Sequence, residues 1–141
     1  MMRHVILFAI PIALAACTTD DGYRSAQAEE ARAEVQERLV GYTPAGTRNC
    51  LPGRSQASTR VYADGTILVR QGGNLYGQNL GPSCASASDV HTALVTEGTF
   101  GSMCSGTIAR VVDSSTGMFR GSCSLGEWTE YEKVEDADEA S

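Results

Sequence analysis

Five cysteines and two histidines are the side chains of this 141-residue sequence best suited to covalent or metal chemistry. Four of the cysteines, Cys50, Cys84, Cys104 and Cys123, follow one another at intervals of 34, 20 and 19 residues. Zinc sites usually contain cysteine pairs separated by about two to four residues, and these intervals are much longer. The spacing therefore favours two disulfide bonds over a metal site, with or without His91 as a further ligand.

The sequence does not choose among the three connectivities that four cysteines allow. We favour Cys84–Cys104 together with Cys50–Cys123. On the loop-entropy model, a closed loop of about 20 residues contributes about 3 kcal/mol to stability, and one of about 70 residues contributes more than 4 kcal/mol. Such bonds matter here because a domain this small buries only about 60% of the surface of its unfolded chain.

The first 16 residues have the pattern of a secretion signal. A short polar segment precedes an almost unbroken apolar run from Val5 to Ala13. A membrane-spanning helix needs about 20 apolar residues, so this run is too short to span a bilayer. Pro11 in its middle argues against a core helix. We therefore predict a signal peptide over residues 1–16.

The signal ends in Leu14-Ala15-Ala16-Cys17, which resembles the lipobox of bacterial lipoproteins. In such proteins the cysteine thiol is acylated and becomes the first residue of the mature chain. The resemblance therefore implies a lipid on Cys17 and makes the membrane a partner through that lipid, since several acyl chains anchor a protein stably. Thr18 follows, rather than the aspartate that favours inner-membrane retention in enteric bacteria. This implies the outer membrane, facing the periplasm.

Lipidation of Cys17 would also leave an even number of cysteines for disulfides in an oxidising compartment. Once the signal is removed, His91 is the histidine available for nucleophilic catalysis. Asp89 and two serines, Ser86 and Ser88, lie near it, but no nucleophile-elbow glycine pattern surrounds the serines. A surface histidine is the preferred interpretation. We expect no enzyme, no catalytic residue, no metal and no cofactor.

Acidic residues are concentrated in the flanks of the chain, whose net charge is −6. The segment from Tyr42 to Gly126 contains six arginines and four acidic residues, whereas Glu127–Ser141 contains seven acidic residues and one lysine. This balance argues against nucleic-acid binding. Charged flanks that keep a small domain soluble are the preferred interpretation. In the alternative, the arginines contact an anionic glycan or another envelope protein.

One helix is predicted, over Tyr23–Val40, because alanine and glutamate are strong helix formers. Its apolar stripe is narrow, so the exposed helix could pack lightly on the domain or form a stalk of about 25 Å. The stripe consists of Ala28, Ala31, Val35 and Leu39. We assign residues 17–41 to the lipid anchor and helical linker, 42–132 to a β domain, and 133–141 to a disordered acidic tail.

The β domain contains seven short strand-like runs separated by turn residues, including the hairpin signals Asp64-Gly65 and Gly72-Gly73. Asp89–Glu97 could alternatively form a short helix. We predict a mainly β fold, a small antiparallel barrel or sandwich of about six strands stapled by disulfides. The runs are Arg60–Ala63, Thr66–Arg70, Asn74–Gly77, Ala93–Thr96, Thr107–Val112, Met118–Cys123 and Trp128–Tyr131.

The strand register of the first hairpin can be predicted from which side chains must be buried. A three-residue loop, Ala63-Asp64-Gly65, pairs Val61 with Ile67 and places both on one face with Val69. A two-residue turn would mix polar and apolar side chains on both faces, and a one-residue slip exchanges the faces of a strand. We predict the longer loop, with these three residues buried, Arg60 and Arg70 exposed, and a positive φ at Gly65.

The segment from Asn49 to Tyr131 resembles a family of small exported proteins of Gram-negative bacteria that is catalogued as a domain of unknown function. The order of the motifs and of the four cysteines carries this resemblance, which implies fold and export but no activity. We expect a lipid-anchored, non-enzymatic structural or interaction module. The alternative is an anchored inhibitor or ligand-binding module, similar to lysozyme-blocking lipoproteins but without their Ala-Arg-Tyr loop. The matching motifs are Cys50, Ser58-Thr59-Arg60-Val61, Asp64-Gly65-Thr66-Ile67-Leu68, Gly72-Gly73-x-x-Tyr76, Leu80-x-x-x-Cys84, Met103-Cys104 and Cys123-x-Leu125-Gly126.

Overall fold

The structure is a computed structural model that describes residues 20–51, 57–96 and 103–134. The predicted signal, Cys17 and residues 135–141 of the predicted tail lie outside the described residues. The described helices are α1 (Asp20–Arg38), α2 (Pro82–Ala85) and a 3-10 helix, Ser86–Ser88. The strands are β1 (Tyr42–Arg48), β2 (Ser58–Val61), β3 (Thr66–Gln71), β4 (Asn74–Asn79), β5 (Thr92–Thr96), β6 (Ile108–Asp113), β7 (Phe119–Ser124) and β8 (Trp128–Lys133).

The strands form two antiparallel sheets, one in the order β1-β8-β4-β3-β2 and one in the order β5-β6-β7. Their inner faces share one core, so the arrangement resembles a sandwich, and the predicted mainly β, disulfide-stapled class is confirmed. Burial of large apolar side chains is the main source of stability for such a core. The core consists of Ile67, Val69, Tyr76, Leu80, Cys84, Ala109, Val111, Leu125 and Trp128.

Helix α1 packs against the outer face of the five-stranded sheet, which settles the two alternatives left open for it. Its stripe of Ala31, Val35 and Leu39 packs with Leu68 of β3, Leu75 of β4 and Tyr62, which follows β2. This explains why β3 is apolar at three successive positions. Ile67 and Val69 face the core between the sheets, whereas Leu68 between them faces α1. The opposite side of α1 is exposed.

The first hairpin has the predicted register. Val61 pairs with Ile67, the N–H of Tyr62 donates to the carbonyl of Thr66 at 2.8 Å, and Gly65 has a φ of +85°. Ile67 and Val69 are buried, and Val61 is half-buried. The three-residue loop is therefore confirmed. The fold adopts it because this register turns the apolar side chains of both strands toward the core.

Strand β1 has no counterpart among the predicted runs. It lies at the edge of the larger sheet, paired with β8, and the pairing is irregular between Pro44 and Gly46. Both residue types weaken a strand pattern; proline is typical of edge strands, and glycine often marks a bulge. The alternative helix over Asp89–Glu97 is not formed, since Thr92–Thr96 is the strand β5.

Candidate functional site

A cleft of about 1180 Å³ lies between α1 and one end of the β domain. We call it the α1 cleft. One wall is the part of α1 from Arg24 to Arg32, and the other is formed by the β2–β3 loop, α2 and the 3-10 helix with the turn after it. Its charged side chains are Arg24, Arg32, Asp64, Asp89 and Arg120, and several serines line it.

The position of α1 sets the width of the α1 cleft. Ala31 is small, so the helix approaches Tyr62 and Leu68 closely, and all three residues are buried. An ion pair of 2.8 Å between Arg60 and Glu34 also joins β2 to the helix. That pair is largely exposed, and exposed pairs contribute at most about 1 kcal/mol. The apolar contact, rather than the ion pair, therefore holds the helix in place.

Arg120 is positioned in the cleft by a network at the start of the β6–β7 loop. The Asp113 carboxylate accepts hydrogen bonds from the Ser115 hydroxyl at 2.6 Å and from the Arg120 guanidinium at 2.8 Å. It also accepts the backbone N–H groups of Ser115 and Thr116, each at 3.0 Å. The hydrogen bonds from the Ser115 hydroxyl, then from Arg120 and the two N–H groups, hold the pKa of Asp113 well below its usual range.

The carboxylates of the cleft are engaged in local contacts. Asp64 accepts the backbone N–H and the hydroxyl of Thr66, at 2.9 and 2.8 Å. Asp89 accepts the backbone N–H of His91 at 3.2 Å. These three hydrogen bonds shape the loops that contain Asp64 and Asp89.

The three arginines differ in their ion pairing. Arg24 lies 3.2 Å from Asp20, one turn earlier on α1, and Arg120 is held by Asp113. Within the part of the chain that the structure describes, Arg32 makes no ion pair. A guanidinium donates paired hydrogen bonds to carboxylate, sulfate or phosphate. Arg32 is therefore the group of the cleft best placed to bind an anion.

The structure joins the four predicted cysteines in two disulfides, Cys50–Cys104 and Cys84–Cys123. The predicted use of these cysteines is confirmed, but the pairing that we favoured is wrong. Cys50 follows β1 and forms an isolated bridge with Cys104, whereas Cys84 lies on α2, which packs against β7. The fold therefore decides the pairing through contacts between segments that are far apart in sequence.

His91 lies on the surface beside the cleft, and its described hydrogen bonds use backbone atoms. Its carbonyl accepts the N–H of Ser114 at 2.8 Å and the Ser114 hydroxyl at 3.0 Å. Ser86 and Ser88 form the nearby 3-10 helix, where the Ser88 hydroxyl donates to a backbone carbonyl. Among residues 20–51, 57–96 and 103–134, no group of three or more His, Cys, Asp or Glu side chains could hold a metal ion.

No family model, curated protein or solved structure matches the chain. Within the described residues, no helix is both long and apolar enough to cross a membrane.

Sequence reasoning did not find the α1 cleft. Arg24 and Arg32 lie about two turns apart on the predicted helix, so their proximity could have been inferred. Arg120 lies 88 residues after Arg32 and joins them only because β7 begins at the same side of the domain.

Proposed function

We propose that this protein is a lipid-anchored, non-enzymatic binding module of the bacterial cell envelope, held on the outer membrane and facing the periplasm. The observation that carries this proposal is Leu14-Ala15-Ala16-Cys17 directly after an apolar run. The four remaining cysteines support it, because disulfides of this kind persist in exported proteins.

The partner that we propose for the α1 cleft is an anionic glycan. Arginines at the cleft can bind acidic groups, and exposed serines such as Ser83 and Ser86 can exchange hydrogen bonds with sugar hydroxyls. A wide cleft of about 1180 Å³ lined by arginines and serines suits an extended ligand better than a small apolar one. Another envelope protein remains the alternative partner.

The anchor is tested by replacing Cys17 with serine in cells fed a labelled fatty acid. We expect label on the wild-type protein and none on Cys17→Ser, because serine lacks the thiol that is acylated. The control is Cys50→Ser, which removes a different cysteine and leaves the motif intact. Equal labelling of the wild type and Cys17→Ser would contradict the proposal.

The glycan partner is tested with dextran sulfate as the probe and neutral dextran as its uncharged counterpart. Arg32→Gln is expected to weaken binding to dextran sulfate about fivefold or more, since it removes charge-assisted hydrogen bonds. The matched control is Arg70→Gln, which removes an exposed arginine that does not line the cleft. Titration calorimetry at low salt measures both, because salt screens exposed charges.

An equal loss of affinity in Arg32→Gln and Arg70→Gln would show that binding depends on the net charge of the protein. That result would contradict a binding site in the α1 cleft. Unchanged binding by Arg32→Gln would contradict the glycan proposal directly. If this protein did not bind dextran sulfate but crosslinked through the α1 cleft to an envelope protein, the envelope protein would be the partner instead of the glycan.

A further inference from the structure

Strand β2 ends the larger sheet, and among the described strands only β3 pairs with it. The N–H of Tyr62 donates to the carbonyl of Thr66 at 2.8 Å, so these two residues form a hydrogen-bonded pair. Such pairs alternate with non-bonded pairs along an antiparallel ladder, and Arg60 is therefore the next residue bonded to β3. The backbone N–H and carbonyl groups of Thr59 and Val61 point away from β3, toward the edge of the sheet.

A groove of about 580 Å³ runs along this edge. We call it the β2 groove. All five residues from Thr59 to Ala63 line it. Successive side chains of a strand point to opposite faces of the sheet, so a groove bordered by one face alone would meet every second residue. Contact with consecutive residues therefore places the groove beside the backbone, where the outward groups of Thr59 and Val61 are directed.

Two further walls flank the edge. Helix α1 borders the β2 groove on the outer face of the sheet, through Glu30 and Glu34. On the other side lie Val90 and Ala87, which belongs to the 3-10 helix. Ala87 and Val61 both pack on the core between the sheets, so the 3-10 helix approaches β2 from its inner face rather than along its edge. The groove is therefore a slot between two walls, with a strand edge at its base.

The α1 wall of the β2 groove is acidic. Glu34 is paired with Arg60 at 2.8 Å, whereas Glu30 is exposed and makes no ion pair with any described residue. An exposed carboxylate at the groove favours a lysine or arginine of the partner. A second copy of this chain is the poorer fit, since two β2 strands paired about a two-fold axis would bring two acidic walls together.

We propose that the β2 groove binds an extended polypeptide segment of another protein, which adds a strand to the edge of β2. In this mode main-chain hydrogen bonds, here to Thr59 and Val61, supply affinity, and alternate side-chain positions supply specificity. Side chains on one face of the segment meet Glu30 and are basic. Those on the other face meet Val90, which is 87% exposed, and are apolar. The proposal depends on neither the lipid anchor nor the glycan, because Arg32 lines the α1 cleft but not the β2 groove.

Peptides with methylated backbone nitrogens test the added strand. The probe is a fluorescein-labelled peptide, Ser-Lys-Val-Lys-Val-Ser, whose binding to the full-length protein is measured by fluorescence anisotropy at low salt. One derivative carries methyl groups on both lysine backbone nitrogens, and the other carries them on both valine backbone nitrogens. An added strand bonds to its neighbour through alternate residues. We therefore expect one derivative to bind at least about tenfold more weakly than the parent peptide, and the other to bind within about twofold of it.

Two protein variants test the acidic wall. Glu30→Gln is expected to weaken binding of the lysine peptide about threefold or more, because it removes the charge that faces the lysines of the partner. The matched control is Glu37→Gln, which removes an exposed α1 glutamate that does not line the groove. Glutamine is also a good helix former, so both variants retain the helix. A peptide with glutamine in place of both lysines should bind the wild type and Glu30→Gln equally.

Equal weakening by the two methylated derivatives, or no weakening by either, would overturn the added strand. Equal loss of affinity in Glu30→Gln and Glu37→Gln would overturn the proposed contact with Glu30. Failure of the parent peptide to bind would overturn the whole proposal. So would a protein that sediments as a dimer and loses peptide binding as the dimer forms, since a second copy would then occupy the edge of β2.

Discussion

Replacing Gly65 with valine is expected to lower the free energy of unfolding by about 3 kcal/mol, because the change adds both backbone strain and a steric clash. Gly65 has a φ of +85°, a conformation that a β-branched residue rarely adopts. A side chain would also place its Cβ 2.5 Å from the carbonyl oxygen of Gly81. That backbone is fixed by the bond from the Leu80 N–H to the Gly65 carbonyl at 2.8 Å. Urea unfolding measures the change.

Gly72→Val is the matched control, because it adds the same backbone strain without the steric clash. Gly72 also has a positive φ, of +61°, in the β3–β4 turn, and no described atom lies within 4 Å of a Cβ there. We expect this variant to lose about 1–2 kcal/mol. If the two variants lost equal stability, the close approach of Gly65 to Gly81 would not be part of the folded state.

Removal of the Cys84–Cys123 bond is expected to cost about 4 kcal/mol and to leave the domain close to unfolding at 37 °C. The bond closes a loop with a sequence separation of 39 residues and joins α2 to β7. Cys84 is fully buried in the core, so a Cys84→Ala/Cys123→Ala variant also loses packing. Total stabilities of small domains are only about 5–15 kcal/mol.

Cys50→Ala/Cys104→Ala provides the comparison. Its separation of 54 residues gives a similar entropic cost of about 4 kcal/mol, but Cys50 is exposed and Cys104 half-buried. We therefore expect the Cys84 variant to unfold at the lower urea concentration. The opposite order, or a peptide map that recovers Cys84–Cys104, would contradict the pairing described here.

The first hairpin shows what the sequence could establish. Val61, Ile67 and Val69 share a face only with a three-residue loop, and Gly65 suits the positive φ that this loop needs. Local pattern and turn chemistry act over a few residues, so both are visible without the fold.

The disulfide pairing and β1 show where such reasoning stops. Four cysteines allow three pairings, and the choice depends on which segments meet, here α2 with β7 and the end of β1 with the segment before β6. Strand β1 was not predicted because Pro44 and Gly46 weaken its pattern, and because its partner β8 lies more than 80 residues later in the sequence.

The α1 cleft depends on the same long-range contacts. The alanine-rich stripe of α1 fitted both a stalk and a packed helix. Tyr62 after β2, Leu68 of β3 and Leu75 of β4 lie beneath it and decide between the two. The packing then brings Arg32 and Arg120 to the same cleft, although neither residue belongs to a sequence motif.

The mass of the N-terminal peptide of the protein extracted from bacterial envelopes tests the central proposal most directly. The account predicts a peptide that begins at Cys17 and carries fatty-acyl chains. A peptide that begins at Cys17 without added mass, or that retains residues 1–16, would contradict it.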